Sequence, residues 1–138
     1  SLKSKLVQTS RDTPVLVACS EEADSDRCAV LVKAGCEVFV CSGNSSAERL
    51  HFLCHELGRR RMTNVLVEGG SQLLGSLFDA KLIDECHTFV APKMVGGREA
   101  PSPIAGQGHD QIPQTASLED LKIQIVHGDV YITGRVRR

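Results

Sequence analysis

The residues best suited to chemistry stand together at positions 64–76, where an apolar run ends in Glu68, Gly69 and Gly70 and a helical pattern follows. Glycines let backbone amides approach a ligand closely, and the first turn of a helix offers unpaired N–H groups at the positive end of its dipole. This arrangement favours binding of a phosphate or pyrophosphate group. Glu68 would add a carboxylate that accepts hydrogen bonds from N–H or hydroxyl groups of a substrate. The two glycines alone are equally consistent with a plain tight turn, because no complete Gly-x-Gly-x-x-Gly is present.

The histidines suggest other sites. His51 and His55 are four residues apart on a predicted helix, as zinc ligands can be, but the glutamate of the metalloprotease motif is missing between them. A solvated helix face is the simpler interpretation, and we expect no metal. For His109, which lies in a long loop, the two interpretations are a lid over a cofactor and a mobile loop.

An alternation of short apolar runs and amphipathic stretches would position these residues. The predicted strands and helices of this alternation are 14–19, 23–34, 36–41, 45–58, 64–68 and 71–78. Such an order implies parallel strands with right-handed crossovers and hence an α/β fold. Residues 83–95 predict a further strand, and residues 121–136 predict an antiparallel hairpin that turns at 127–129. The sheet is therefore expected to be mixed, parallel first, with a C-terminal antiparallel hairpin.

Between these elements, residues 96–117 are rich in Pro, Gly, Ser and Gln. The segment is too long for an ordinary connection, which predicts either a functional loop or a disordered one.

Composition limits the classes of partner. Sixteen Lys and Arg against 17 Asp and Glu leave no basic excess, and aromatic residues make up only 4%, so no nucleic-acid partner is expected. No apolar run approaches the ~20 residues of a membrane-spanning helix. The six cysteines lie mostly in apolar runs without a Cys-x-x-Cys pair, which predicts free thiols and a cytoplasmic location. The length of 138 residues fits one domain.

Three segments, Val65–Ser71, Leu82–Glu85 and Ala91–Gly97, in this order and spacing resemble the reductase domain of riboflavin biosynthesis. Weaker similarity extends over nearly the whole chain. The resemblance implies a dihydrofolate-reductase-like, three-layer α/β/α fold, often the C-terminal half of a bifunctional deaminase–reductase. It also implies NADPH-dependent reduction of 5-amino-6-(5-phosphoribosylamino)uracil to its 5-phosphoribitylamino counterpart. Sheet positions left vacant by the missing start of the domain would expose an edge, which favours self-association as a homodimer.

Matched by position, the resemblance makes Glu68 a substrate-binding residue. The cofactor-binding residues that it implies are Gly69, Gly70, Ser71, Gln72, Leu73, Leu74, Gly75 and Ser76. The catalytic residues stay unknown and are expected before Ser1, because the family's domain is longer and begins with a further strand. We therefore expect residues 1–138 to be a single, N-terminally truncated reductase domain that is inactive alone. The alternative is a non-catalytic nucleotide-binding or dimerisation module on the same scaffold.

Overall fold

The computed structural model describes residues 2–111 and 116–137. The chain divides into two compact units, an N-terminal unit, Ser1–Val65, and a C-terminal unit, Leu66–Arg138. Across the described residues, each helix is too short or too polar to traverse a lipid bilayer.

The N-terminal unit contains two parallel strands and three helices. Its elements are α1 (Lys5–Gln8), β1 (Leu16–Ser20), α2 (Ser25–Ala34), β2 (Glu37–Cys41) and α3 (Ser46–Arg59). Strands β1 and β2 pair from Leu16 with Glu37 to Ser20 with Cys41. The first two predicted strands, their parallel pairing and the helices that follow them are therefore confirmed.

Side chains close the starts of both longer helices in this unit. The carboxylate of Asp24 accepts a hydrogen bond from the N–H of Arg27 at 2.9 Å, at the start of α2. Ser45 Oγ accepts from the N–H of Glu48 at 3.1 Å at the start of α3, and the Glu48 carboxylate accepts from the N–H of Asn44 at 2.7 Å. These contacts satisfy N–H groups that the helices themselves leave unpaired.

The C-terminal unit contains one helix and an antiparallel sheet. Its elements are α4 (Ser71–Asp79), β3 (Glu85–Val90), β4 (Leu118–Val126) and β5 (Asp129–Val136), and the strand order is β3-β5-β4. The β4–β5 connection is a two-residue turn in which His127 and Gly128 have φ of 51° and 95°. Two positive φ values are typical of the type I′ turn that matches strand twist, and the predicted hairpin is confirmed.

The prediction of a strand over residues 64–68 is wrong, because residues 62–70 are irregular. An apolar run becomes a strand only where neighbouring strands supply backbone partners, and among the described residues none pairs with this run. Val65 and Leu66 are accordingly 55% and 74% exposed. The predicted order, parallel strands first and antiparallel strands last, is confirmed, but the two kinds belong to separate sheets.

The predicted strand over residues 83–95 is shorter than expected. It forms β3 over Glu85–Val90, and Pro92 follows directly after Ala91. Proline lacks the N–H that would continue the ladder, which explains the early end. On the other side of the sheet, β4 begins at Leu118 and contains an irregularity between Glu119 and Lys122.

Candidate functional site

Helix α4 begins without a side-chain cap. Gly70 occupies the cap position in an extended conformation, with φ −71° and ψ 170°, and within the described part of the chain no side-chain hydrogen bond caps the helix. The first intrahelical bond runs from the N–H of Leu74 to the carbonyl oxygen of Gly70 at 3.2 Å. The N–H groups of Ser71, Gln72 and Leu73 therefore precede the helical ladder, at the positive end of the helix dipole.

The two glycines before α4 have different surroundings. A Cβ at Gly70 would meet no atom within 4 Å, so this side of the turn is open. A Cβ at Gly69 would lie 2.6 Å from Leu73 Cδ2 and 3.0 Å from Leu73 Cβ, which leaves no room for a side chain. Gly69 thus permits the close turn, as predicted, and Gly70 leaves space in front of the helix.

The other predicted binding residues differ in their exposure. Glu68 is exposed two residues before the helix cap. Gln72 and Leu73 are exposed, whereas Ser71, Leu74 and Ser76 are half-buried. Residues 68–73 therefore lie at the open start of α4, whereas Leu74, Gly75 and Ser76 lie further along the helix. The binding roles of all of them stay predictions.

Residues 105–108, called the strap below, lie along one face of α4. The N–H of Ala105 donates to the carbonyl oxygen of Ser71 at 3.0 Å. The carboxylate of Asp79 accepts from the N–H groups of Gln107 and Gly108 at 2.8 and 3.4 Å. These hydrogen bonds hold the strap to α4, and no local pattern in the sequence marks Asp79 as its partner.

Gly75 is buried beneath the strap. A Cβ at this position would overlap the carbonyl group of Ala105 and the N–H of Gly106. Close backbone packing accounts for a glycine at position 75 without any ligand. Its assignment to the cofactor, which came only from the family resemblance, therefore stays a prediction.

A cavity of about 540 Å³ lies at the other end of α4. Its walls include Phe78, Lys81, His109 and Arg137. The His109 ring meets Phe78 edge-on, with ring centroids 5.6 Å apart. His109 is therefore placed at the C-terminal end of α4, away from the open turn at Gly70.

The histidines of two further elements have different surroundings. His51 and His55 are both exposed on α3, consistent with a solvated helix face. His87 has partners that the sequence did not reveal: its Nδ1 lies 2.6 Å from the Tyr131 hydroxyl and its Nε2 lies 3.4 Å from a carboxylate oxygen of Glu85. Tyr131 is 44 residues away along the chain, and strand pairing brings it next to His87.

An ionic cluster joins the end of α3 to β2. Arg59 and Arg60 both donate to the carboxylate of Glu56, and Arg60 also donates to that of Glu37 at 2.6 and 2.8 Å. Hydrogen bonds from Arg59 and then Arg60 lower the pKa of Glu56 to about 2. The guanidinium of Arg60 also lies 5.7 Å from the centre of the Phe39 ring. Because the charges of these four side chains are paired with one another, we interpret the cluster as a structural contact between α3 and β2 and not as a ligand site.

Comparison with known proteins gives a family and a fold. The family described as RibD C-terminal domain matches residues 1–132. The riboflavin biosynthesis protein RibD of Actinobacillus pleuropneumoniae is 30% identical over 131 residues, which cover 95% of this chain and 35% of that protein. The 2,5-diamino-6-ribosylamino-4(3H)-pyrimidinone 5′-phosphate reductase of Methanothermobacter thermautotrophicus is 34% identical over 108 residues, 78% of this chain and 49% of that protein. The chain thus spans between about a third and a half of these relatives.

Solved structures share the fold at low sequence identity. RibD of Acinetobacter baumannii superimposes with a TM-score of 0.73 at 16% identity, covering 99% of this chain and 34% of that one. The riboflavin biosynthesis reductase Rib7 of Saccharomyces cerevisiae gives a TM-score of 0.65 at 14% identity, covering 99% and 63%. The predicted dihydrofolate-reductase-like α/β fold class is confirmed by these neighbours.

Proposed function

The chain belongs to the RibD C-terminal domain family, and on this premise we propose that it forms the cofactor-binding part of an NADPH-dependent reductase of riboflavin biosynthesis. The reaction is reduction of 5-amino-6-(5-phosphoribosylamino)uracil to 5-amino-6-(5-phosphoribitylamino)uracil. Relatives named as pyrimidinone 5′-phosphate reductases support a reduction of this chemical class. Since the chain spans only part of its relatives, we propose that residues 1–138 act within a longer reductase domain.

The observation that carries this proposal is the open, uncapped start of α4. The N–H groups of Ser71, Gln72 and Leu73 lack intrahelical partners, and no side chain of residues 2–111 or 116–137 caps the helix. Gly70 leaves the space before them free. A dinucleotide's pyrophosphate is a suitable guest, because its anionic oxygens accept hydrogen bonds and are attracted by the positive end of the dipole. This geometry supports assigning Gly69–Leu73 to the cofactor, and the family resemblance alone extends the assignment to Leu74, Gly75 and Ser76.

Chemical roles follow from the same geometry. NADPH, when bound, supplies a hydride to the sugar carbon next to nitrogen. The backbone donors of α4 would hold the pyrophosphate, and the exposed carboxylate of Glu68 would accept hydrogen bonds from the substrate. We assign catalysis itself to no described residue.

Titration with NADPH tests the cofactor site directly. We expect the backbone amide signals of residues 69–74 to shift, and those of the capped start of α3 at 45–48 to stay in place. NADH is the second ligand of the experiment, because the preference for the 2′-phosphate is part of the proposal. Absence of any response at millimolar NADPH would contradict a retained cofactor site.

An activity assay separates the reductase from the alternative. We expect the 138-residue chain to bind NADPH without oxidising it when the uracil substrate is added. A protein extended at its N-terminus should oxidise NADPH with that substrate. The 2-amino-pyrimidinone in the name of the archaeal relative is the competing substrate. Binding without turnover in the extended protein as well would favour a non-catalytic nucleotide-binding module.

We further propose that the protein assembles with a second copy of itself. Val90, Val130 and Ile125 share one row of the antiparallel sheet, and Ile123 lies on the same face of β4 as Ile125. Ile123 and Ile125 are 60% and 71% exposed. This exposed apolar surface supports an interface on this face of the sheet.

Sedimentation of two variants tests the interface. Ile125→Lys places a charge on the apolar face and should convert the assembly to monomers. Gln124→Lys places the same charge on the opposite face of β4 and should leave the assembly intact. Equal behaviour of the two variants would exclude this face as the interface.

The cytoplasmic location is also a proposal. Free thiols suit a reducing compartment, and they are found at Cys19, Cys28, Cys36, Cys41 and Cys86. Relatives from maize and Arabidopsis are named as chloroplastic, so location varies within the family.

A further inference from the structure

Three residues of α4 at four-residue intervals form a stripe that the strap covers. Ser71, Gly75 and Asp79 lie one turn apart, and residues spaced by four share a helix face. The strap bonds to Ser71 at one end of the stripe, lies against Gly75 in the middle and bonds to Asp79 at the other end. One short segment of chain therefore connects the last residue of the helix to the first.

Asp79 stands at an electrostatically unfavourable position for a helix residue. It is the last residue of α4, where the negative end of the dipole disfavours a carboxylate. The last turn contains no basic residue that would compensate. The bonds from the N–H groups of Gln107 and Gly108 provide the compensation, because a carboxylate is a strong acceptor for backbone donors.

The approach of the strap to Asp79 depends on Gly106. This residue has φ of 101°, a conformation that side chains disfavour, and a Cβ there would clash with the Asp79 carboxylate. The glycine at position 106 leaves room for the Asp79 carboxylate, and that carboxylate accepts hydrogen bonds from the two N–H groups that follow the glycine.

We propose that Asp79 is a positioning residue: by anchoring the strap, it orders the first turn of α4, where the proposed function places the cofactor's phosphates. A helix of nine residues is marginal by itself. The start of α4 has no side-chain cap, and the bond from Ala105 to Ser71 is a contact that fixes it. The hydrogen bond between Asp79 and the strap joins residues 28 positions apart in the sequence. This contact therefore controls how well the N–H donors in the first turn of α4 are aligned. The consequence for NADPH rests on the proposed function; the ordering of the turn does not.

Two substitutions of Asp79 and one matched control test the inference on the full chain. Asp79→Ala removes both acceptors, and Asp79→Asn keeps one. Asp110→Ala is the control, because it removes an exposed carboxylate just beyond the strap. The first measurement is hydrogen exchange at Gln107 and Gly108 in the strap and at Leu74 in the first turn. The second is the dissociation constant for NADPH.

We expect Asp79→Ala to accelerate exchange about 10-fold at both places and to raise the NADPH dissociation constant about 5-fold, since it removes two charge-assisted hydrogen bonds. Asp79→Asn should give an intermediate effect, and Asp110→Ala should change neither measurement by more than about 2-fold. If Asp79 affected α4 only through its unfavourable interaction with the helix dipole, Asp79→Ala would stabilise the helix and slow hydrogen exchange at Leu74 instead. Gly106→Ala should reproduce the effect of Asp79→Ala without altering the helix.

The outcomes separate this inference from the proposed function. Faster exchange in the strap together with unchanged exchange at Leu74 would overturn the inference. Should the unaltered chain fail to respond to NADPH, the proposed function fails, and exchange at Leu74 alone then decides the inference. Unchanged NADPH affinity in Asp79→Ala, with normal binding by the unaltered chain, would also overturn it.

Discussion

Helices α3 and α4 begin in opposite ways. The start of α3 is closed by Ser45 and Glu48, whose side chains accept hydrogen bonds from backbone N–H groups. The start of α4 follows Gly70, which has no side chain and leaves open space. The protein therefore satisfies its own N–H donors at one helix start and leaves them available at the other, which is what a ligand site requires.

The ends of the two helices differ as well. The last turn of α3 carries Arg59, next to Arg60, and both bind Glu56 within the same segment. The last residue of α4 is Asp79, whose partners are in the strap. Helix α3 is therefore held by its own side chains, whereas α4 depends on a distant part of the chain.

The largest expected effect comes from closing the open helix. Gly70→Asp would give α4 a cap of the kind that Asp24 provides for α2, and the extended conformation and free space at this position accept a side chain. We expect NADPH affinity to fall more than about 10-fold, because the new carboxylate takes the N–H donors and repels phosphate. Isothermal titration measures the change.

Gly70→Ala is the control for that substitution, since it adds a Cβ without charge or cap. Its NADPH affinity should stay close to that of the unaltered chain. Equal binding by Gly70→Asp would show that the donors of α4 are not the phosphate site.

A pair of glycine substitutions should have opposite signs in the two helices. In α4, Gly75→Ala forces a Cβ into the backbone of the strap and should destabilise the fold by about 1–3 kcal/mol. In α3, a Cβ at Gly58 meets nothing within 4 Å, and Gly58→Ala should stabilise by about 0.5 kcal/mol. Urea unfolding measures both, and a stabilising Gly75→Ala would mean that the strap is not bound to α4.

Removal of the cap on α3 should affect stability alone. Ser45→Ala deletes the acceptor for the N–H of Glu48 and should cost about 1 kcal/mol of unfolding free energy. NADPH affinity should not change, because the proposed site lies on the other helix. Ser45→Asp retains an acceptor and should restore most of the stability. A loss of binding in Ser45→Ala would contradict the separation of the two helix starts.

The smallest effect is expected at the end of α3 and depends on pH. Arg59 and Arg60 lower the pKa of Glu56 from 4.5 to about 2. A carboxyl group with a lowered pKa in the folded state contributes stability above pH 4.5 and loses that contribution as the pH falls towards about 2. Glu56→Gln should therefore lower the melting temperature slightly at neutral pH and flatten its decline in acid. An unchanged acid profile would show that the cluster does not contribute.

The features that sequence predicted correctly have local causes. Gly35 follows α2 in a left-handed conformation and Ser45 caps α3, and a glycine after a helix and a serine before one are local sequence signals. The helix after Gly69 and Gly70 starts where the glycines indicated. In each case a residue's own conformational freedom or its nearest neighbours decide the structure, so the sequence contains the whole signal.

The features that sequence missed depend on partners far along the chain. The hydrogen bond from Gln107 to Asp79 spans 28 residues, and no local pattern marks either residue. Residues 64–68 are apolar enough for a strand. Whether a strand forms depends on pairing with a neighbouring strand, and a short stretch of sequence does not contain that information. The assignment of the open turn to a cofactor came from the family resemblance, whereas the position of the turn was predicted from its two glycines.

The boundary between the two units falls between Val65 and Leu66, immediately before the open turn. Gly69, α4 and the strap consequently all belong to one contiguous stretch of the chain. The residues that form the contacts described for the turn and the strap are therefore separate in sequence from those that form the parallel sheet. Substitutions on the surface of β1 and β2 thus replace none of the residues that make those contacts.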